Sequence, residues 1–112
     1  MCGFVGIKNY ESNEFAKLIN NIDNCSKLIN HRGPDDTKKW ISKKKDICLS
    51  FNRLSILDTS ENAMQPMFSR SKKYIMVFNG EIYNYVEIKN NLSKKNILIT
   101  SNSDSEVLIN HF

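Results

Sequence analysis

The second residue of this chain is a cysteine, in Met1-Cys2-Gly3-Phe4-Val5-Gly6-Ile7. Removal of the initiator methionine would leave Cys2 with a thiol and a free α-amine on the same carbon. Groups of these two kinds have similar intrinsic pKa values, about 8.5 and about 7.7–8.0, so such an amine can take the thiol proton directly or through one water. A nucleophile activated by its own N-terminal amine is a known catalytic device. Taken alone, Met-Cys is a chance beginning with a small buried hydrophobe at position 2. Residues further along give the chemical reading its weight. Attack by Cys2 on a carboxamide needs preorganised donors for an oxyanion, and Asn79-Gly80 offers a side-chain amide beside an N–H with no Cβ to obstruct it. If the substrate is an amino acid, its α-carboxylate calls for the planar fork of an arginine, here Arg53. Its α-ammonium calls for carboxylates, here Glu81 and Asp104. Each has a plainer explanation too: Asn-Gly as a turn, Arg53 as a surface ion pair, Asp104 as a helix-end charge.

The elements that must position these groups follow from periodicity and breakers. Residues 3–8 read as a short strand with Cys2 at its mouth. From Ser12 to about Asn30, Phe15, Leu18, Ile19, Ile22, Cys25, Leu28 and Ile29 recur at helical spacing, with Ser12 as N-cap. This places Cys25 on the core face. Gly33 and Pro34 end that helix. Trp40-Ile41 and Ile47–Phe51 read as a hairpin across a lysine-rich turn, with Cys48 in the core. Arg53 to Asp58 leave that strand into a polar loop through Gln65-Pro66. Tyr74–Phe78, β-branched and aromatic, is the strongest strand pattern, and it delivers Asn79-Gly80-Glu81. A helix is expected over Tyr83–Leu92 and a short strand over Ile97–Ile99. A last helix follows, capped by Asn102 or Ser103, with Asp104 and Glu106 in its first turn.

Composition narrows the class. A chain of 112 residues with 40% hydrophobic and 25% charged residues can build one modest core. No apolar run approaches the ~20 residues of a membrane span, and no secretory leader is visible, so a cytoplasmic protein is expected. Three cysteines without C-x-x-C spacing suit free thiols in a reducing compartment. The net charge of +4 comes from lysines at expected loops (Lys38-Lys39, Lys43-Lys44-Lys45, Lys72-Lys73, Lys94-Lys95). They are not interleaved with aromatics as in a strand-binding groove, so neither nucleic acid nor membrane is an expected partner.

Read in order, Cys2-Gly3, His31-Arg32-Gly33-Pro34-Asp35-Asp36, Arg53-Leu54-Ser55-Ile56, Gln65-Pro66, Asn79-Gly80-Glu81-Ile82-Tyr83-Asn84 and Ser103-Asp104-Ser105-Glu106 resemble the glutaminase domain of class II glutamine amidotransferases, most closely the asparagine synthetase branch. The resemblance spans essentially the whole chain. It implies an α+β fold, the αββα sandwich of the N-terminal-nucleophile hydrolases. It also implies that Cys2 attacks the side-chain amide of L-glutamine, with Asn79 and Gly80 as oxyanion hole. Arg53 would hold the α-carboxylate and Glu81 and Asp104 the α-ammonium, while Leu54, Ser55, Ile56 and Leu57 line the pocket. The glutaminase step needs no cofactor. ATP and magnesium belong to a synthetase domain or subunit that receives the ammonia, and a homodimer is the assembly to test. With the amine as base, His31 has no catalytic task, and the His31–Asp36 loop is expected to shape or seal the pocket.

Two departures matter. Asparagine synthetases often carry His two residues before the arginine of the Arg-Leu-Ser-Ile string, where this chain has Phe51. That resembles amidotransferases acting on sugars, peptides or polysaccharide precursors, and leaves the acceptor open. The last predicted helix is still running at Phe112, so residues 1–112 are expected to be a glutaminase domain incomplete at its C-terminus, without the synthetase domain. Half-built sheets would expose edges and apolar faces, and self-association is expected. The alternative is a catalytically inactive glutaminase-like module that binds glutamine or a partner for regulation.

Overall fold

A computed structural model of the chain describes residues 2–10, 15–55 and 63–112. It resolves into two compact units, Met1–Leu54 and Ser55–Phe112, and its architecture is α+β with antiparallel sheets.

The first unit is a three-stranded sheet with one helix on its face. Strand β1 (Gly3–Lys8) is followed by helix α1 (Phe15–Leu28), a single 3₁₀ turn at Asn30–Arg32, strand β2 (Asp36–Ile41) and strand β3 (Ile47–Arg53). The order is β1-β3-β2, with Gly3 opposite Asn52 and Asp36 opposite Arg53. Side chains alternate across a strand, so Cys48, Ser50 and Asn52 of β3 share a face. Cys48 packs there with Leu18 and Ile22 of α1, flanked by Val5, Ile7, Phe15 and Ile19. Further along that face Ser26 donates to the Asn52 Oδ1 at 2.7 Å, and Ser50 donates to Ser26 Oγ at 3.0 Å. The buried stripe of α1 is therefore Leu18, Ile22 and Ser26, four residues apart.

Sequence and structure differ here in two places, and one expectation lies outside the described residues. Cys25 is half-buried beside the stripe and Leu28 is exposed, because the last turn of the stripe is occupied by the polar Ser26. The expected cap Ser12 lies outside the described residues. Strand β2 begins four residues before Trp40, taking Lys38 and Lys39 out of the expected loop. As an edge strand with exposed residues, it carries no apolar pattern to betray it, and its lysines suit an edge that must not pair further. Lys39 also reaches Asp23 of α1 at 2.5 Å.

The second unit has strands β4 (Met67–Phe68) and β5 (Ile75–Met76), antiparallel, then helices α2 (Tyr85–Lys94) and α3 (Asp104–His111). Met67, Leu92, Val107 and Ile109 are buried. The Ser103 hydroxyl caps α3 by accepting from Ser105 N at 3.2 Å. The strong strand pattern at Tyr74–Phe78 becomes only two ladder residues, because Phe78 takes both of its backbone hydrogen bonds from the Gln65 side chain. Ile97–Ile99 is not a strand. Ile97 N instead returns to Leu92 O at 3.0 Å, closing the end of α2, and the Leu98 carbonyl accepts from the Arg70 guanidinium. Among the described residues no helix is long and apolar enough to cross a membrane.

Candidate active site

In the first unit the expected nucleophile is held by its surroundings on three sides. The Leu54 N–H donates to Cys2 Sγ at 3.3 Å, and the thiol faces the Leu54 carbonyl at 3.6 Å. The Cys2 carbonyl accepts from Arg32 Nε at 3.2 Å. Pairing of Gly3 with Asn52 then fixes where the cysteine backbone leaves the sheet. Cys2 remains half-exposed, as a nucleophile must.

The His31–Asp36 string builds this mouth. Asp35 N donates to Arg53 O at 3.0 Å, so the loop runs along the end of β3. Gly33 is what permits it: a Cβ there would sit 2.3 Å from Asn52 O and 2.7 Å from Arg53 C, closer than any side chain tolerates. Arg53, the last residue of β3, is only 7% exposed, so it is not a surface residue. His31 is exposed, with Nδ1 at 3.2 Å from Leu28 O.

A cleft of about 510 Å³ in this unit lies elsewhere, on the α1 face of the sheet, lined by Asp23, Ser26, Asn30, Thr37, Lys39 and Asn52 among others. None of its lining residues belongs to the expected constellation. Asn52 (1% exposed) spends its amide there on Ser26 O, Asn30 Oδ1 and Thr37 Oγ1, at 3.3, 3.2 and 3.3 Å. The cleft is thus a seam between elements in which Ser26, Asn30, Thr37 and Asn52 bond to one another and Lys39 pairs with Asp23.

The second unit carries the other half of the constellation. Asn79, Gly80 and Glu81 are exposed on a segment tied at both ends. Before it, Gln65 grips Phe78; after it, Ile82 N donates to Asp104 Oδ2 at 2.9 Å. Asp104 stands in the first turn of α3, where the helix dipole favours its charge. A Cβ on Gly80 would fall 2.7 Å from the Phe78 ring. Ser55 opens this unit, while Ile56 and Leu57 lie outside the described residues.

Among the groups whose positioning contacts the sequence did not show are Arg32 and Glu106. Arg32 was covered only by the expectation that the His31–Asp36 loop shapes or seals the pocket, with no contact of its own assigned, and Glu106 was noted only for its helix-end charge. The Glu106 carboxylate accepts from Thr100 N at 3.0 Å and Ser101 N at 2.6 Å, and from the Thr100 hydroxyl at 3.0 Å. Burial works against its charge, but these hydrogen bonds together outweigh it and hold the carboxyl below the usual range. Burial pushes the Cys48 thiol up, as suits a packing cysteine. Among the described residues no three His, Cys, Asp or Glu side chains converge as metal ligands.

The first unit thus sets a half-exposed cysteine, at the second residue, at the end of an antiparallel sheet whose neighbouring strand ends in a buried arginine. Comparison with known proteins gives the class. The sequence model of the glutamine amidotransferase domain matches residues 1–112, and the chain belongs to that family. It is 38% identical over 110 residues to asparagine synthetase [glutamine-hydrolyzing] 1 of Bacillus subtilis, covering 97% of this chain and 17% of that protein. A probable asparagine synthetase of Acanthamoeba polyphaga mimivirus is 38% identical over 111 residues, covering 97% and 19%. A putative asparagine synthetase of Methanocaldococcus jannaschii is 36% identical over 125 residues, covering 97% and 23%. The chain thus spans about a fifth of the length of these curated relatives.

Proposed function

We propose that residues 1–112 form the N-terminal part of a glutaminase domain that feeds ammonia to an ATP-dependent, asparagine synthetase-like partner domain, and that the domain completes an αββα sandwich. The observation that carries this reading is Cys2 itself, gripped at sulfur and carbonyl by Leu54 and Arg32 at the end of β3, in a chain that matches the amidotransferase family from end to end.

On this reading the α-amine of Cys2 accepts the thiol proton as Sγ attacks Cδ of glutamine. The charge that develops on the amide oxygen goes to the Asn79 side chain and the Gly80 N–H, an electrostatic stabilisation on the order of 10²–10³ in rate per donor. Collapse of the tetrahedral intermediate breaks the C–N bond. The amine returns its proton to the departing nitrogen, and ammonia leaves a thioester on Cys2. Water, deprotonated by the same amine, then hydrolyses the thioester to glutamate and the free thiol. Arg53 meets the α-carboxylate, Glu81 and Asp104 the α-ammonium, and Leu54, Ser55, Ile56 and Leu57 line the side-chain pocket. ATP and magnesium act in the partner domain, which sets the acceptor.

Intact mass before and after treatment with 6-diazo-5-oxo-norleucine, an electrophilic glutamine analogue, tests the proposal. The expected result is loss of Met1 and one adduct on Cys2. A retained Met1 with no adduct overturns it and leaves a module that binds without turnover.

A further inference from the structure

Gln65 is only 4% exposed, yet it lies in no strand and is none of the residues assigned to glutamine. Its Oε1 accepts from Phe78 N at 2.5 Å, and its Nε2 donates to Phe78 O and to Ser105 Oγ, each at 3.2 Å. One side-chain amide thus serves Phe78 as a neighbouring peptide would, and at the same time grips Ser105 on α3. Phe78 precedes Asn79 and Ser105 follows Asp104. From the other side, Asp104 Oδ2 accepts from Ile82 N at 2.9 Å. The residues that bracket Asn79-Gly80-Glu81 are therefore both fastened to the first turn of α3, one through Gln65 and one directly.

We propose that Gln65 is a positioning residue for glutamine hydrolysis, setting the Asn79-Gly80 donors and the Asp104 carboxylate in a fixed relation. The inference rests on the reading above, in which these groups meet the oxyanion and the ammonium. The Phe78 ring also lies within 3 Å of where a Gly80 Cβ would stand, so fixing the Phe78 peptide fixes the floor beneath Gly80. No other side chain fits the task. Glu would set an acceptor against Phe78 O, Asn is one methylene short, and Met fills the volume but makes none of the three bonds. Because a displacement near 1 Å can cost on the order of 10²-fold in rate, a residue that touches no substrate can still govern turnover.

The test compares Gln65→Met and Ser105→Ala with the wild type in the full chain. Glutamate release is divided by the number of sites labelled with 6-diazo-5-oxo-norleucine. Gln65→Met is expected to lower kcat per labelled site on the order of 10–100-fold. Ser105→Ala keeps both Phe78 bonds and loses the tie from Gln65 to α3, together with the hydroxyl's own long donation to Asp104 Oδ1 at 3.4 Å. It is expected to raise KM for glutamine about 2–10-fold, in the range of a neutral hydrogen bond, with kcat little changed. Fewer labelled sites in Gln65→Met, each turning over at the wild-type rate, would make Gln65 a structural residue only and overturn the inference. If Gln65→Met does not fold, Ser105→Ala decides, and an unchanged KM overturns it. A wild type that neither labels nor releases glutamate removes the glutaminase reading itself, an outcome distinct from either of these.

Discussion

The two units solve the same positioning problem by different means. In the first, regular ladders place the candidate groups: six residues of β1 and seven of β3 run antiparallel, and Cys2 and Arg53 sit at the adjoining ends of those two strands. In the second, the ladder is two residues long, and side chains take over its work. Gln65 completes the pairing of Phe78, Asp104 holds Ile82, and Glu106 gathers the Thr100 and Ser101 amides. A ladder spreads its hold over many weak bonds. A clasp concentrates it in one residue, whose loss leaves several buried groups unpaired at once. Substitutions in the first unit should therefore act through the chemistry or through backbone clashes, and in the second through single buried side chains.

The largest expected effect is that of Cys2→Ala, which removes the proposed nucleophile while leaving the Gly3–Asn52 pairing intact. Glutaminase activity is expected to vanish, with glutamine binding by calorimetry largely retained. Measurable turnover would take the role away from Cys2. Next comes Arg53→Ala, which would delete the proposed charge-assisted contact to the α-carboxylate, worth about 1.5–3 kcal/mol. KM for glutamine is expected to rise roughly 10–150-fold by that arithmetic, and an unchanged KM would reduce Arg53 to a buried structural residue. Gly33→Ala strikes the same unit without touching substrate. Its new Cβ would press on the Asn52 and Arg53 backbone, so a loss of about 1–3 kcal/mol or more in stability is expected by chemical denaturation. A neutral result would show that the loop can slide off β3, and that the mouth around Cys2 is less rigid than its hydrogen bonds imply.

The same contrast explains what could be read in the sequence. Strand β1, helix α1 and the β3 core follow from apolar spacing, because each buries a hydrophobic face. The early start of β2 was not legible, since an exposed edge strand needs no apolar pattern. Ser26 in the buried stripe of α1 was not legible either, because its place depends on Asn52 and Ser50 on a different element. In the second unit the apolar residues at Tyr74–Phe78 and Ile97–Ile99 promised strands that pairing cut short or withheld. The site residues were named from their chemistry and from the resemblance, whereas the groups that hold them were not. A clasp such as Gln65 on Phe78 joins positions thirteen apart in the chain, and no local periodicity encodes it.

The smallest expected effect belongs to Glu106, and it separates a charged clasp from a merely polar one. Each carboxylate oxygen of Glu106 accepts from the 99–101 segment: Oε1 from Thr100 N and the Thr100 hydroxyl, Oε2 from Thr100 N and Ser101 N. Glu106→Gln keeps the shape but turns one of these oxygens into a donor facing an N–H. The carboxyl is held below its ordinary value, so the folded state prefers the ionised form. The stability this contributes is fully present above the ordinary glutamate range, about 4.3, and is lost as pH falls through the lower folded-state value. Wild type should therefore be the more stable of the two at pH 7, by denaturant melts, and the gap should close as the buffer is taken below about pH 4. Asp46, lowered by the Ser42 hydroxyl, titrates in both proteins and cancels from the difference. A gap that stays constant with pH would mean that the charge contributes nothing and that shape alone holds the 99–101 segment to α3.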